Sequence, residues 1–274
     1  MKSTKSTKRL VFYILAAVII LVLLRIFAGI ELAQRYTLPI LMYHKIENSD
    51  KTKTDVVSPA FFRKHMKYLK EHGYNVIPLK DFLKAKGNCP NNACLPRKTV
   101  ILTFDDGYEN NYTYAFPVLK EFGYPATIFI SPDLIGKEKD GSRFLNWRQL
   151  REMRDEGIID YGSHGMTQAY LPDISYEDQL YEIGRSKILL EKKLGVRIEC
   201  FSYPVGGFDE KIKEEVKKAG YQCAVTTNRG HDRFNWDNFE LNRIRLSDKD
   251  NTDTILWAKF NGFYNLFRKL KDPK

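Results

Sequence analysis

Residues 98–108 read KTVILTFDDGY. A run rich in Val, Ile, Leu and Phe suits a strand buried on both faces, and this one ends abruptly in two carboxylates and a glycine. The arrangement recurs: LPILMY (38–43) runs into His44, GIIDYG (157–162) into Ser163 and His164, and IECFSY (198–203) into Pro204, Val205 and two glycines. With ATIFI (126–130), YQCAVTT (221–227) and ELNRIRL (240–246), the set comprises seven apolar strands. Helix-like stretches between them close on Gly73, Gly123, Gly157, Gly195 and Gly220, where the left-handed conformation that ends a helix carries no steric cost. Ser58 before Pro59, and Ser175 three residues ahead of Asp178, mark helix starts. Seven such units in about 210 residues predict a parallel sheet curled into a closed or nearly closed β/α barrel. No G-x-G-x-x-G or phosphate loop follows the first strand, so no nucleotide cofactor is expected.

The chain has 274 residues, 43% apolar and 28% charged, which excludes a disordered segment and a multi-spanning membrane protein. Its 44 Lys and Arg against 34 Asp and Glu give a net charge of +10, concentrated at the two ends. No basic helix or zinc-finger spacing lies between them, so nucleic acid is not an expected partner. Residues 10–30 (LVFYILAAVIILVLLRIFAGI) hold one charge, Arg25, and follow a basic segment. That pattern predicts a transmembrane signal anchor with residues 1–9 cytoplasmic, 31–37 a linker, and the domain at 38–250 outside the cytoplasm, at the cell surface or in the periplasm. Cleavage after Ala33 is disfavoured by Glu31 at the −3 position. Residues 251–274 are aromatic and basic and predict an amphipathic helix that caps the barrel or lies on a membrane surface. Cys89 and Cys94 bracket a turn-rich loop where a disulfide would fit, while Cys200 and Cys223 fall in strands, as buried thiols or as a bridge. His65, His72 and His231 read as surface residues.

In β/α barrels reactive side chains gather at the C-terminal ends of strands, and four strand ends here carry them. TFDDGY (103–108) resembles the first motif of the polysaccharide deacetylases, the NodB-homology or carbohydrate esterase 4 family. GSH (162–164) with GMTQ (165–168) is similar to the second motif, and FSYPVG (201–206) to the third. LMYH (41–44) resembles the permuted branch that includes poly-N-acetylglucosamine deacetylases, and the resemblance spans residues 38–247. It implies a distorted (β/α)7-8 barrel and a divalent cation of the zinc, cobalt or nickel class held by Asp106 and His164. It also implies Asp105 as general base, His44 as general acid, the Val205 backbone N–H as an oxyanion donor and Arg243 as the residue that orients Asp105. Tyr108, Tyr203 and Pro204 are the implied substrate contacts, and an N-acetylated polysaccharide the implied partner.

Three departures from the family pattern follow. Where the family has a second metal-binding histidine, this chain has Gln168, whose neutral amide oxygen is a poorer ligand than imidazole. The family's usual Arg in the third motif is Ser202, and its usual aromatic is Val205. Two functions are therefore expected: metal-dependent removal of N-acetyl groups from an extracytoplasmic glycan, or glycan binding by a catalytically impaired barrel.

Overall fold

A computed structural model describes residues 3–48, 54–88, 95–227 and 229–273. The chain divides into two compact units, Met1–Tyr36 and Thr37–Lys274. The first contains one helix, α1 (Ser3–Gln34), on which Leu10, Ile14, Leu21, Leu23 and Phe27 are exposed. Among the described residues no helix is long and apolar enough to cross a membrane, so the transmembrane helix expected over 10–30 is not found.

In the second unit, parallel strands stand side by side in chain order: β1 (Ile40–Tyr43), β2 (Thr99–Phe104), β3 (Ala126–Ile130), β4 (Ile159–Ser163), β5 (Cys200–Ser202) and β6 (Cys223–Thr226). Every residue of β1, β2, β3 and β6 is buried, as continuous apolar strands require. The two ends of the sheet are β7 (Leu241–Asn242), paired with β6, and β8 (Ile244–Arg245), paired with β1. A single residue, Arg243, separates them. The nearly closed barrel expected from the strand count is thus joined within one short stretch, half of it bonded to the last stave and half to the first.

The wrapping helices are α2 (Pro59–Glu71), α3 (Leu79–Asn88), α4 (Phe116–Phe122), α5 (Trp147–Asp155), α6 (Tyr176–Leu180), α7 (Ser186–Leu194) and α8 (Glu210–Lys218). Their ends follow from the sequence. Ser58 Oγ accepts the Phe61 N–H at 3.4 Å, Asn146 and Gln149 form a reciprocal capping box, and Gly123 and Gly195 close α4 and α7 at φ of 66° and 67°. Two π-helical turns, Asn111–Ala115 before α4 and Tyr181–Arg185 between α6 and α7, had no visible sequence signal.

Other expectations are corrected. Instead of one helix over 251–274 there are two short ones, α9 (Asp253–Phe260) and α10 (Tyr264–Phe267), parted by Gly262 at φ 82°. Phe260 is buried against Tyr68 and Tyr74. His65 is not a surface residue: it is fully buried, its Nε2–H donates to the Asp250 carbonyl at 2.8 Å, and Nδ1 accepts from the Tyr43 hydroxyl at 3.2 Å. The His72 ring stacks on Tyr68 with centroids 3.9 Å apart. Cys200 and Cys223 are buried free thiols, in register on adjacent strands, whereas Cys89 and Cys94 lie outside the described residues.

Burial pushes the His65 pKa down to about 4, against the smaller upward pull of the Asp250 carbonyl and carboxylate. The unfolded chain, with an ordinary imidazole, binds the proton first as pH falls. His65 therefore contributes stability that is complete above pH ~6.5 and is lost as pH drops toward 4, about 3 kcal/mol in all. Urea unfolding of wild type and His65→Gln across this range should show the wild type losing that much more stability on acidification; parallel slopes would refute the assignment.

Candidate active site

The C-terminal end of β2 sets the site. Asp105 continues the sheet, its N–H bonded to the Tyr43 carbonyl at 3.0 Å, and its side chain turns into the barrel, only 2% exposed. There Arg243 meets it with a two-pronged contact, Nη1 to Oδ1 at 2.6 Å and Nη2 to Oδ2 at 2.5 Å. The other donors of Arg243 reach the Thr226 carbonyl (3.2 Å), Thr103 Oγ1 (3.3 Å) and Ser202 Oγ (2.9 Å), and the Phe129 ring lies against the guanidinium. All five N–H groups face an acceptor, the condition under which a buried ion pair is tolerable. Burial alone would raise the Asp105 pKa. The Arg243 charge, followed by that of His164, overrides it and holds the carboxyl well below the usual range.

Asp106 and Gly107 both take φ of 71°, and this left-handed turn swings the second carboxylate the other way, onto the rim. His164, one residue past β4, brings its Nε2 to 3.4 Å from Asp106 Oδ1. Its Nδ1 lies 2.8 Å from the Ser202 carbonyl, which can only accept, so Nδ1 carries the hydrogen and the Nε2 lone pair of the neutral ring faces Asp106. Burial opposes charging of His164, but the Asp105 and Asp106 carboxylates outweigh it and raise its pKa. Gln168 joins the pair, its Nε2 donating to Asp106 Oδ1 at 3.0 Å.

The loop carrying Gln168 is fixed by Glu182, a residue with no functional signal in the sequence. The π-helical turn directs this 4%-exposed carboxylate inward, where it accepts from Met166 N (2.7 Å), Thr167 N (3.0 Å) and Thr167 Oγ1 (2.7 Å). A Cβ on Gly165 would lie 2.6 Å from Glu182 Oε2, so only glycine fits there. The other π turn serves His44: Asn111 Nδ2 donates to the His44 carbonyl at 2.8 Å. His44 sits partly exposed at the mouth, yet its Nδ1 is covered and has no hydrogen-bond partner among the described residues. Burial lowers its pKa, despite the opposing pull of Asp106 and Asp105.

Val205 occupies a one-turn helix, Pro204–Gly206, with φ 56° and ψ 2°. A β-branched residue there costs on the order of 1–3 kcal/mol and marks a position held by its surroundings. Its carbonyl accepts from Arg229 Nε at 3.2 Å. Its N–H belongs to the first turn of the helix, ahead of any intrahelical bond.

Tyr108 stands at the rim with its ring stacked on Phe144 (5.0 Å) and the Lys45 ammonium above it (4.7 Å). Burial, then the Asp106 charge beside it, raise its hydroxyl pKa. Tyr203 and Pro204 are corrected as substrate contacts. Tyr203 is fully buried, bonded to the Phe239 carbonyl at 3.1 Å and stacked on Phe208, and Pro204 is buried beneath the turn. Strand alternation sends the Tyr203 ring to the core side of β5. Among the described residues no three His, Cys, Asp or Glu side chains converge as a metal site; what converges is Asp106, His164 and the Gln168 amide.

Residues 92–224 match the polysaccharide deacetylase family. The chain is 34% identical to YxkH of Bacillus subtilis over 222 residues, covering 80% of this chain and 75% of that protein. The chain belongs to the polysaccharide deacetylase family. As a polysaccharide deacetylase it is a hydrolase. It is also 30% identical to the poly-beta-1,6-N-acetyl-D-glucosamine N-deacetylase of Staphylococcus epidermidis, over 80% of this chain and 76% of the relative. The solved structure of the Streptococcus pyogenes deacetylase PplD in complex with acetate superimposes with a TM-score of 0.71 at 28% identity, over 81% of this chain and 97% of the other.

Removing one partner of a buried ion pair strands the other. Arg243→Met should lower the unfolding free energy by about 3–5 kcal/mol, whereas Arg243→Met with Asp105→Leu should recover most of that loss while remaining inactive. Denaturant titration of both variants checks this; equal stability would show that Arg243 and Asp105 are not coupled.

Proposed function

We propose that this deacetylase removes N-acetyl groups from an N-acetylglucosamine-type glycan outside the cytoplasm, with a divalent metal as cofactor. The observation that carries the reading is the division of labour between adjacent carboxylates, Asp105 clamped inward by Arg243 and Asp106 turned to His164 at the rim.

The donor set fits a metal of modest affinity. Asp106 offers a carboxylate oxygen and His164 a free Nε2, while Gln168 supplies an amide oxygen after half a turn about its last torsion. A cation held there would polarise the amide carbonyl and make water more acidic. Arg243 occupies one lone pair on each oxygen of Asp105 and the Ser202 hydroxyl reaches Oδ1 at 3.4 Å, which leaves the second lone pair of Oδ2 to take the proton of the attacking water. The Val205 N–H is placed to stabilise the developing oxyanion. His44, whose lowered pKa makes its charged form a stronger acid, gives a proton to the departing nitrogen. Asp105 and His44 then re-equilibrate with solvent, and acetate and a free amine are the products. Tyr108 offers an aromatic edge to the sugar.

Anchoring through residues 10–30 belongs to the same proposal. It is supported by the basic residues at 1–9 and by the exposed apolar side chains along α1.

Purified protein loaded with zinc, cobalt or nickel should release acetate from N-acetylglucosamine oligomers. Asp105→Asn should reduce kcat by 10³-fold or more, on the order expected for a general base, with metal content unchanged, and Asp106→Asn should lose the metal. Gln168→His should tighten metal binding by about tenfold or more. Glycan binding without turnover in every metal-loaded form, Gln168→His included, would leave only recognition. Because burial lowers the His44 pKa and His44 acts when charged, the basic limb of the kcat/KM profile should fall at a pH below the ordinary imidazole value; His44→Ala should erase that limb.

A further inference from the structure

Beside the Val205 turn lies a cavity of about 380 Å³, lined by Arg229, Arg245, Arg268 and Lys271 together with Met42, Val205 and Thr227. The cations come from three segments that meet only in the fold: β8, the loop after β6 and the chain after α10. Two of them, Arg268 and Arg229, are held by carbonyl oxygens. Arg268 donates through Nη1 to the Arg243 carbonyl (2.8 Å) and through Nη2 to the Thr227 carbonyl (3.3 Å). Arg229 donates to the carbonyls of Val205 (3.2 Å) and Asp272 (2.8 Å). Among the described residues, Arg245, Arg268 and Lys271 make no ion pair with a carboxylate. Carbonyls orient the Arg268 guanidinium but do not cancel its charge, so Arg268, Arg245 and Lys271 bring uncancelled positive charge to one concavity. Burial lowers the Arg268 pKa against the opposing pull of Tyr264, and the Arg245 charge beside it adds a smaller push in the same direction as burial.

From this cavity we infer an anion subsite: the substrate is an N-acetylated glycan that carries a phosphate or carboxylate near the acetyl group being removed, and that oxyanion sits among Arg229, Arg245, Arg268 and Lys271. The inference rests on the deacetylase reading for the choice of a glycan, because Val205 walls both the cavity and the reaction rim. Arg245 is close enough to the rim to depress the His44 pKa. Arg268 and Arg245 supply planar donor forks suited to oxyanions, and Lys271 a mobile charge at the edge. A neutral sugar would leave these charges uncompensated, whereas a charged unit next to the reacting one satisfies them and fixes which acetamide reaches Val205.

The test is a binding measurement on full-length protein made inactive by Asp105→Asn or, should that variant unfold, by His44→Ala. Calorimetric titration compares a neutral N-acetylglucosamine oligomer with the same oligomer bearing one 6-phosphate or one C6 carboxylate. The anionic oligomers should bind about tenfold or more tightly at low salt, and the advantage should shrink as ionic strength rises. Lys271→Gln and Arg245→Gln should each cut that advantage about three- to tenfold and leave affinity for the neutral oligomer unchanged. Equal affinity for neutral and anionic oligomers would overturn the inference. So would a preference that survives Arg245→Glu, free acetate or phosphate binding as tightly as the glycan-borne group, or binding to phosphatidylglycerol vesicles that depends on the same residues. Since binding is read without turnover, absence of acetate release in the active protein would defeat the deacetylase reading alone, and the two failures are told apart.

Discussion

The fork between Arg243 and Asp105 joins the architecture to the chemistry. Arg243 is the one residue between the two half-strands that close the barrel, and its side chain points to where all the staves converge. There it meets the carboxylate at the end of β2 and the hydroxyls of Thr103 and Ser202, together with the carbonyl that ends β6. A cation so placed would be intolerable without full compensation, and a carboxylate so buried would be neutral without the cation. Each makes the other possible. The position of the proposed base is therefore fixed by the same contact that seals the sheet.

Around this fork the rim is built from turns that depart from ideal geometry. Asp106, Gln168 and Val205 all hold positive φ, and the two π-helical turns lie where Asn111 and Glu182 reach inward. Each departure aims a group that a regular strand or helix would direct elsewhere. The Ser202 carbonyl, by accepting from His164 Nδ1, decides which nitrogen of that ring is available at the rim, and Glu182 decides where Gln168 stands. The strain is local and the barrel beneath it is regular, which is how a rigid scaffold holds a demanding site.

Much of this was legible in the chain itself. Continuous apolar runs gave the staves, helix-ending glycines the connections, and strand-end Asp105, Asp106, His44 and His164 the rim, because each depends on local pattern. Arg243 could be placed on the last strand, but its place between two half-strands emerges only when the sheet closes. The buried ring of His65 looked like a surface residue, since a lone imidazole on a polar helix carries no sign of burial, and Glu182 went unnoticed because a helical period shifts at a π turn. Tyr203 was misplaced because proximity in sequence to Val205 says nothing about which face its ring takes. The break at Gly262 was overlooked in a stretch whose composition suited one helix.

The closure of the barrel at Arg243 has a consequence for biogenesis. Neighbouring staves follow one another in the chain, and the cation that compensates Asp105 lies 138 residues downstream of it. Until that segment emerges from the ribosome, a nascent chain can stack six strands and still carry an open edge and an uncompensated carboxylate. A chain cut short before that segment would lack both the closing strand and the cation that compensates Asp105, so its flaw would be open to proteolytic quality control rather than hidden in a half-working enzyme.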